Sequence, residues 1–153
     1  MTLQIGDPAP DFTLRDHDNN EWTLSAHRGE NVVLVFYPLD FSPTCTKELK
    51  DLAAAADKYG AAGAEVVGIS VDSRWTHAAF KRDEELPATL LADFQPRGAV
   101  AQLYDAYLPE PGFATRATYV IDKDGVIRHK VVTSPGEARN QDEYLEALSA
   151  CPV

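Results

Sequence analysis

The residues Val32-Val33-Leu34-Val35-Phe36 constrain this chain more than any others. The run is continuous rather than alternating, and it is rich in β-branched and aromatic side chains. A strand with one wet face alternates apolar and polar residues; a continuous run belongs to a strand buried on both faces. Such a strand needs a packed layer on each side. The apolar stretch extends only to Tyr37, far short of the roughly 20 residues a membrane span requires. It predicts the central strand of a layered α/β sheet.

The neighbouring segments supply the rest of that sheet. Glu65–Val71 reads as a second buried strand, Ala117–Ile121 as a third and Val126–Val132 as a fourth. Asp124-Gly125 favours a tight hairpin turn, so the last two pair antiparallel. Near the start, Phe12-Thr13-Leu14 and Trp22-Thr23-Leu24 flank a polar turn and form a small β-hairpin. Leu49, Leu52, Ala53, Ala56 and Tyr59 share one helical face, with Gly60 and Gly63 closing that helix. A second helix covers Arg74–Glu84 with Trp75 and Phe80 facing inward. Pro96–Tyr104 is a shorter helix, and the last runs from about Gln141 to Ser149 with Tyr144, Leu145 and Leu148 inward. The result is a central mixed β-sheet flanked by helices, with an N-terminal β-hairpin. If the first two long strands are parallel, this is a thioredoxin-like arrangement. No repeat or linker interrupts the 153 residues, so one domain, 1–153, is expected.

Composition narrows the function. The formal net charge is −10, which argues against nucleic acid and against docking on an anionic membrane. The N-terminus lacks a basic segment followed by an apolar one, so a cytoplasmic location is expected. Two cysteines, Cys45 and Cys151, are too few for a disulfide scaffold, and cytoplasmic thiols stay mostly reduced.

Cys45 sits in the most informative segment, Tyr37-Pro38-Leu39-Asp40-Phe41-Ser42-Pro43-Thr44-Cys45-Thr46-Lys47-Glu48. It joins the central strand to the first helix, and ligand sites in α/β sheets lie at such carboxyl ends. Ser42 is a suitable N-cap and Pro43 a suitable first helical residue, which places Cys45 in the first turn. Free backbone N–H groups and the positive end of the helix dipole there favour thiolate over thiol. The Ser42 hydroxyl lies three residues before Cys45, Pro38 can screen the site, and Glu48 can anchor a cation from the same helix. From position alone, a buried and inert cysteine remains an equal reading, because free cysteine is among the most buried residue types.

Pro38-x-x-x-Ser42-x-x-Cys45 resembles the active-site signature of the peroxiredoxins, the AhpC/TSA family. Gly6-Asp7-Pro8-Ala9-Pro10-Asp11-Phe12-Thr13-Leu14 resembles the family's opening segment, and Arg116–Asp122 resembles the segment that carries its arginine. Length and the late Pro135-Gly136-Glu137-Ala138-Arg139 segment are most similar to the one-cysteine alkyl hydroperoxide reductase E (AhpE) group. The resemblance implies a thiol-dependent peroxidase acting on hydrogen peroxide and organic hydroperoxides in antioxidant defence and cell redox homeostasis. Cys45 becomes a sulfenic acid and is re-reduced by external thiols. Arg116 stabilises the thiolate and binds peroxide, Ser42 holds the peroxide, Pro38 screens the site, and Glu48 orients Arg116 or another arginine. No metal or cofactor is implied. The expected partners are the peroxide, a low-molecular-weight thiol or a thioredoxin- or glutaredoxin-like protein, and a second copy of the chain in a homodimer or larger oligomer. Ser42 stands where the family commonly has threonine, so the hydroxyl lacks a stiffening methyl.

Cys151 is a candidate resolving cysteine, but it lies in a short C-terminal segment and reads more readily as an incidental thiol. His17, His27, His77 and His129 show no ligand spacing and are expected at the surface. Phe41, Phe94, Tyr107, Leu108 and Phe113 are candidates for a pocket rim or an interface. A thiol–disulfide oxidoreductase is the alternative enzyme, although Cys45 is followed by Thr46-Lys47-Glu48 rather than by a second cysteine three residues on. A non-catalytic binding module has no need of the Pro38, Ser42, Cys45 and Arg116 set.

Overall fold

The computed structural model describes residues 2–151. Strands β1 (Thr13–Asp16), β2 (Glu21–Thr23), β3 (Asn31–Phe36), β4 (Ala64–Ser70), β5 (Thr89–Ala92), β8 (Arg116–Ile121) and β9 (Ile127–Thr133) form one seven-stranded sheet in the order β2-β1-β5-β4-β3-β8-β9. The β3 strand runs parallel to β4 and antiparallel to β8, so the sheet is mixed. The strand β5 is parallel to β4 and carries the N-terminal hairpin antiparallel on its far side. A second, two-stranded sheet pairs β6 (Tyr107–Leu108) with β7 (Phe113–Ala114).

The continuous run in β3 is explained by its place between two cores. Val33, Val35 and Tyr37 point to one face, where Leu49, Leu52, Tyr59, Phe80, Tyr144 and Leu148 meet them. Val32, Leu34 and Phe36 point to the other, against Phe12, Trp22, Val100 and Tyr104. Helices α1 (Pro43–Ala54), α2 (Ala56–Ala61), α3 (Arg74–Glu84) and α5 (Asp142–Ser149) supply the first face; α4 (Ala99–Leu103) supplies the second. Each fully buried Val, Leu or Phe contributes about 1.5–3 kcal/mol. A polar substitution in β3 has no wet face to turn to.

Several expectations need correction. The first helix is not continuous to Tyr59. It stops at Ala54 because Ala55, at φ −100° and ψ 12°, leaves the helical region. Leu52 and Tyr59 nevertheless remain on one core face. Trp75 is not inward: it is 70% exposed, with the Arg74 guanidinium 3.8 Å from its ring centroid. His77 and Phe80 set the buried face of α3, and a residue two positions before His77 is rotated by about 200° from it. His77 is consequently buried rather than at the surface. Leu145 is only partly buried. The short strand β5 follows Pro87, and its four residues are too few to show a period.

Candidate active site

The site is built where β3 ends and α1 begins. The Tyr37 amide still donates to Ile69 O of β4 (3.1 Å). The chain then crosses the sheet edge through the buried Pro38 and enters α1 at Ser42. Pro43 is the first helical residue, as the sequence predicts, and Cys45 lies in the first turn and is fully buried. The Thr46 amide closes the first ladder bond onto Ser42 O at 2.9 Å. The amides of Thr44 and Cys45 precede that bond and have no carbonyl partner within the helix.

The Ser42 side chain behaves differently from a simple cap. Its hydroxyl donates to Leu39 O at 3.1 Å and makes no cap bond to the helix. With its proton committed to Leu39, the oxygen presents lone pairs and can accept a hydrogen bond from a ligand O–H.

Arg116 begins β8, beside the end of β3, and is 2% exposed. Its Nη1 donates to Cys45 Sγ at 3.2 Å and to Glu48 Oε1 at 2.7 Å, while Nε donates to Pro135 O at 2.7 Å. A rigid fork with several donors can make these contacts together; a lysine cannot. Cys45, Glu48, Ser42, Pro38 and Arg116, all singled out from sequence, therefore share one end of the sheet.

Sequence reasoning gave Arg139 no role. It is the second cation on Glu48: Nη2 donates to Oε1 at 2.8 Å, and Nε and the backbone N–H donate to Oε2 at 3.1 and 2.7 Å. Its Nη1 bridges Phe36 O (2.6 Å) and Thr118 Oγ1 (3.1 Å). Burial pushes the Glu48 carboxyl up, but the hydrogen bonds and charge of Arg139, followed by the charge of Arg116, outweigh burial and hold it below the ordinary carboxylate range. The signal in the sequence was Glu48 itself, a carboxylate in a helix core-facing turn that needs a cation. A cavity of about 80 Å³ lies behind this pair, lined by Val35, Glu48, Leu52, Arg139 and Tyr144 among others.

Cys151 lies elsewhere. Its thiol donates to Ala147 O at 3.4 Å and sits within electrostatic reach of Asp122 and Arg128. Asp122 follows β8 six residues after Arg116, about 20 Å along the strand at 3.3 Å per residue, so the two cysteines sit toward its opposite ends and both are free thiols. A disulfide needs Cα atoms within about 7 Å. Burial, and then the Asp122 charge, push the Cys151 thiol up. Of the proposed rim residues, Phe41 and Phe94 are exposed, while Tyr107, Leu108 and Phe113 are half-buried in the β6–β7 hairpin.

A helix-terminal cysteine beside a buried arginine, on this sheet, fits the class of thiol-dependent peroxidases. Residues 5–130 match the model of the AhpC/TSA family, and the chain belongs to that family. It is 39% identical over 149 residues to alkyl hydroperoxide reductase E of Mycobacterium tuberculosis, covering 97% of each chain. It is 41% identical over 150 residues to the chloroplastic peroxiredoxin Q of Suaeda salsa, covering 95% of this chain and 67% of that one. Among solved structures, the fold resembles the reduced 2-Cys peroxiredoxin of Plasmodium vivax (TM-score 0.88, 30% identity, 97% of this chain and 81% of that chain). It also resembles peroxidoxin BcpB of Mycobacterium tuberculosis (TM-score 0.88, 29% identity, 99% of each chain). The chain is a peroxiredoxin, and its activity is thiol-dependent reduction of hydroperoxides.

Proposed function

We propose that Cys45 is the peroxidatic thiol and that Arg116 is its activating partner. The observation that carries this reading is the 3.2 Å contact from a buried guanidinium to Sγ. A guanidinium there stabilises the thiolate and has further N–H groups for peroxide oxygen. The thiolate attacks one oxygen of ROOH, the O–O bond breaks, and an S–O bond forms. Sulfur loses two electrons, which the peroxide gains. The departing RO⁻ takes a proton and leaves as alcohol, or as water when the substrate is hydrogen peroxide, and Cys45 becomes a sulfenic acid. Donors held in place at Arg116 and at the open helix amides stabilise charge on the leaving oxygen. Ser42 accepts from the peroxide O–H, Pro38 keeps water from the thiolate, and Glu48 holds Arg116.

Two external thiols complete the cycle. The first releases water and forms a mixed disulfide with Cys45; the second displaces Cys45 as a thiol and leaves a disulfide of the reductant. The distance to Cys151 supports an external reductant, either a low-molecular-weight thiol or a thioredoxin- or glutaredoxin-like protein. Exposed Leu39, Phe41, Trp75 and Phe94 support self-association as a homodimer or larger oligomer. The protein is proposed to work in the cytoplasm, where such reductants are kept reduced. Intact mass after one equivalent of hydrogen peroxide tests the assignment: one oxygen should be added on Cys45, and Cys45→Ser should consume no peroxide. A Cys45→Ser variant as fast as wild type would refute it.

A further inference from the structure

Behind the site lies a buried polar group that the chemistry above does not use. His77 of α3 and Asp40 of the loop before α1 have fully buried side chains, with Nδ1 2.7 Å from Asp40 Oδ2. The other ring nitrogen, Nε2, lies 3.0 Å from Leu91 O. A carbonyl only accepts, so Nε2 carries a proton and donates. The second Asp40 oxygen accepts from the Tyr37 hydroxyl at 2.5 Å, and burial together with the Asp40 charge keeps that phenol protonated. The Asp40 amide donates to Asp72 Oδ2 (2.8 Å), which also accepts from Ser70 Oγ (2.5 Å). Asp40, Asp72 and His77 converge closely enough to suggest a cation site. Both Asp40 oxygens and both His77 nitrogens, however, already have protein partners. The group therefore reads as a clamp between the loop and the α3–β5 layer.

The loop has something to be clamped. Phe41, between Asp40 and Ser42, has φ +67°, a left-handed conformation that is an outlier for a bulky side chain. Such strain persists only where its surroundings over-determine it. Here Asp40 is tied to α3 through His77, and the Phe41 ring packs on Phe80 of α3 with centroids 4.9 Å apart. The left-handed step turns the chain from β3 into α1. That step delivers Ser42 to the helix start and Cys45 to Arg116.

We propose that His77, acting through Asp40, is a positioning residue for peroxide reduction: the pair holds the strained Phe41 turn and so sets the placement of Ser42 and Cys45. This rests on the reading of Cys45 as the peroxidatic thiol. The positioning role rests on the two hydrogen bonds that Asp40 makes, one with Tyr37 and one with His77. Asp40→Asn can preserve both bonds, its carbonyl accepting from Tyr37 and its amide donating to Nδ1 of a neutral Nε2–H imidazole.

The test is the second-order rate of Cys45 oxidation by hydrogen peroxide in reduced protein, with folding checked by circular dichroism. His77→Leu should lower the rate by about tenfold or more, while Asp40→Asn should stay within about threefold of wild type. Adding Phe41→Gly to His77→Leu should recover most of the loss, because glycine adopts φ +67° without strain. A merely structural His77 does not give both the near-wild-type rate of Asp40→Asn and the recovery by Phe41→Gly. A wild-type rate in His77→Leu overturns the proposal, as does an Asp40→Asn variant as slow as His77→Leu. If His77→Leu alone does not fold, a folded and active Phe41→Gly/His77→Leu protein supports the clamp and an unfolded one overturns it. The Cys45→Ser control separates the two levels, since peroxide consumption by that variant counts against the site assignment and leaves the clamp comparison without a site to position.

Discussion

Glu48→Gln removes one negative charge from between two buried guanidinia. The Arg116 and Arg139 side chains are 2% and 1% exposed, and that of Glu48 is 10% exposed. The carboxylate accepts four hydrogen bonds: one from Arg116 (2.7 Å) and three from Arg139 (2.7, 2.8 and 3.1 Å). An amide offers one acceptor oxygen and turns an NH₂ group toward donors. Removing one partner of a buried ion pair costs about 3–5 kcal/mol. The residual exposure of Glu48 places this case at the lower end, about 3 kcal/mol. At about 2–4 °C per kcal/mol for a chain of this size, Tm falls by about 9 °C. Arg116 also loses one of the two groups that hold it against Sγ and keeps the other, Pro135 O (2.7 Å). If about 1.4 kcal/mol of that loss reaches the transition state, Cys45 oxidation slows about tenfold. The urea midpoint at unchanged slope reports the first effect, and stopped-flow oxidation reports the second. Because the folded Glu48 carboxyl is held below its ordinary range, its stabilisation is fully present above the unfolded value near 4.3 and is lost as pH falls through the lower folded value. The gap between wild type and Glu48→Gln should therefore close on acidification below about pH 4. A variant with an unchanged midpoint, or a gap that widens in acid, refutes the reasoning.

Arg116→Lys keeps the charge but cannot reach Sγ, Glu48 and Pro135 O at once; oxidation of Cys45 should fall about hundredfold, as measured by stopped flow. Cys151→Ser should leave the oxidation rate unchanged, and mass spectrometry should still find one added oxygen; a wild-type disulfide that disappears with this substitution counts against external reduction. Gly98 has φ +70°, and a Cβ there would clash with the Tyr107 ring. Gly98→Ala should cost about 3 kcal/mol, from overpacking and the left-handed backbone together, seen as a lower thermal midpoint.

The sheet was legible because its central strand carries a pattern that only two-sided burial explains. The antiparallel β8–β9 pair follows from Asp124-Gly125, and the continuous runs mark β3 and β4 as buried strands; that the two pair in parallel was a condition, which the structure meets. What the sequence concealed is what three-dimensional closure decides. The four residues of β5 are too short to show a period, yet they hold the N-terminal hairpin to the sheet and supply Leu91 O to His77. Trp75 and His77 each lie on the face opposite to the expected one, because α3, RWTHAAFKRDE, has too few apolar residues to mark its inward stripe. Phe80 alone fixes a direction, and His77, three residues earlier, falls on the same face.

The active site divides along the same line. Pro38, Ser42, Cys45 and Glu48 fall within eleven residues and obey helix-start rules, so their proximity is local and readable. Arg116 and Arg139 are 71 and 94 residues from Cys45, and only the register of β8 against β3 and the path after β9 bring them to it. Two guanidinia on one carboxylate beside a thiol are costly to assemble unless each charge is compensated. Glu48 holds both cations by hydrogen bonds but supplies one negative charge against two, and that accounts for its position one helical turn after Cys45: the carboxylate anchors a buried arginine facing sulfur, and the positive charge left over favours the proposed thiolate. Reactivity at Cys45 and stability of this end of the sheet are therefore held by the same four hydrogen bonds.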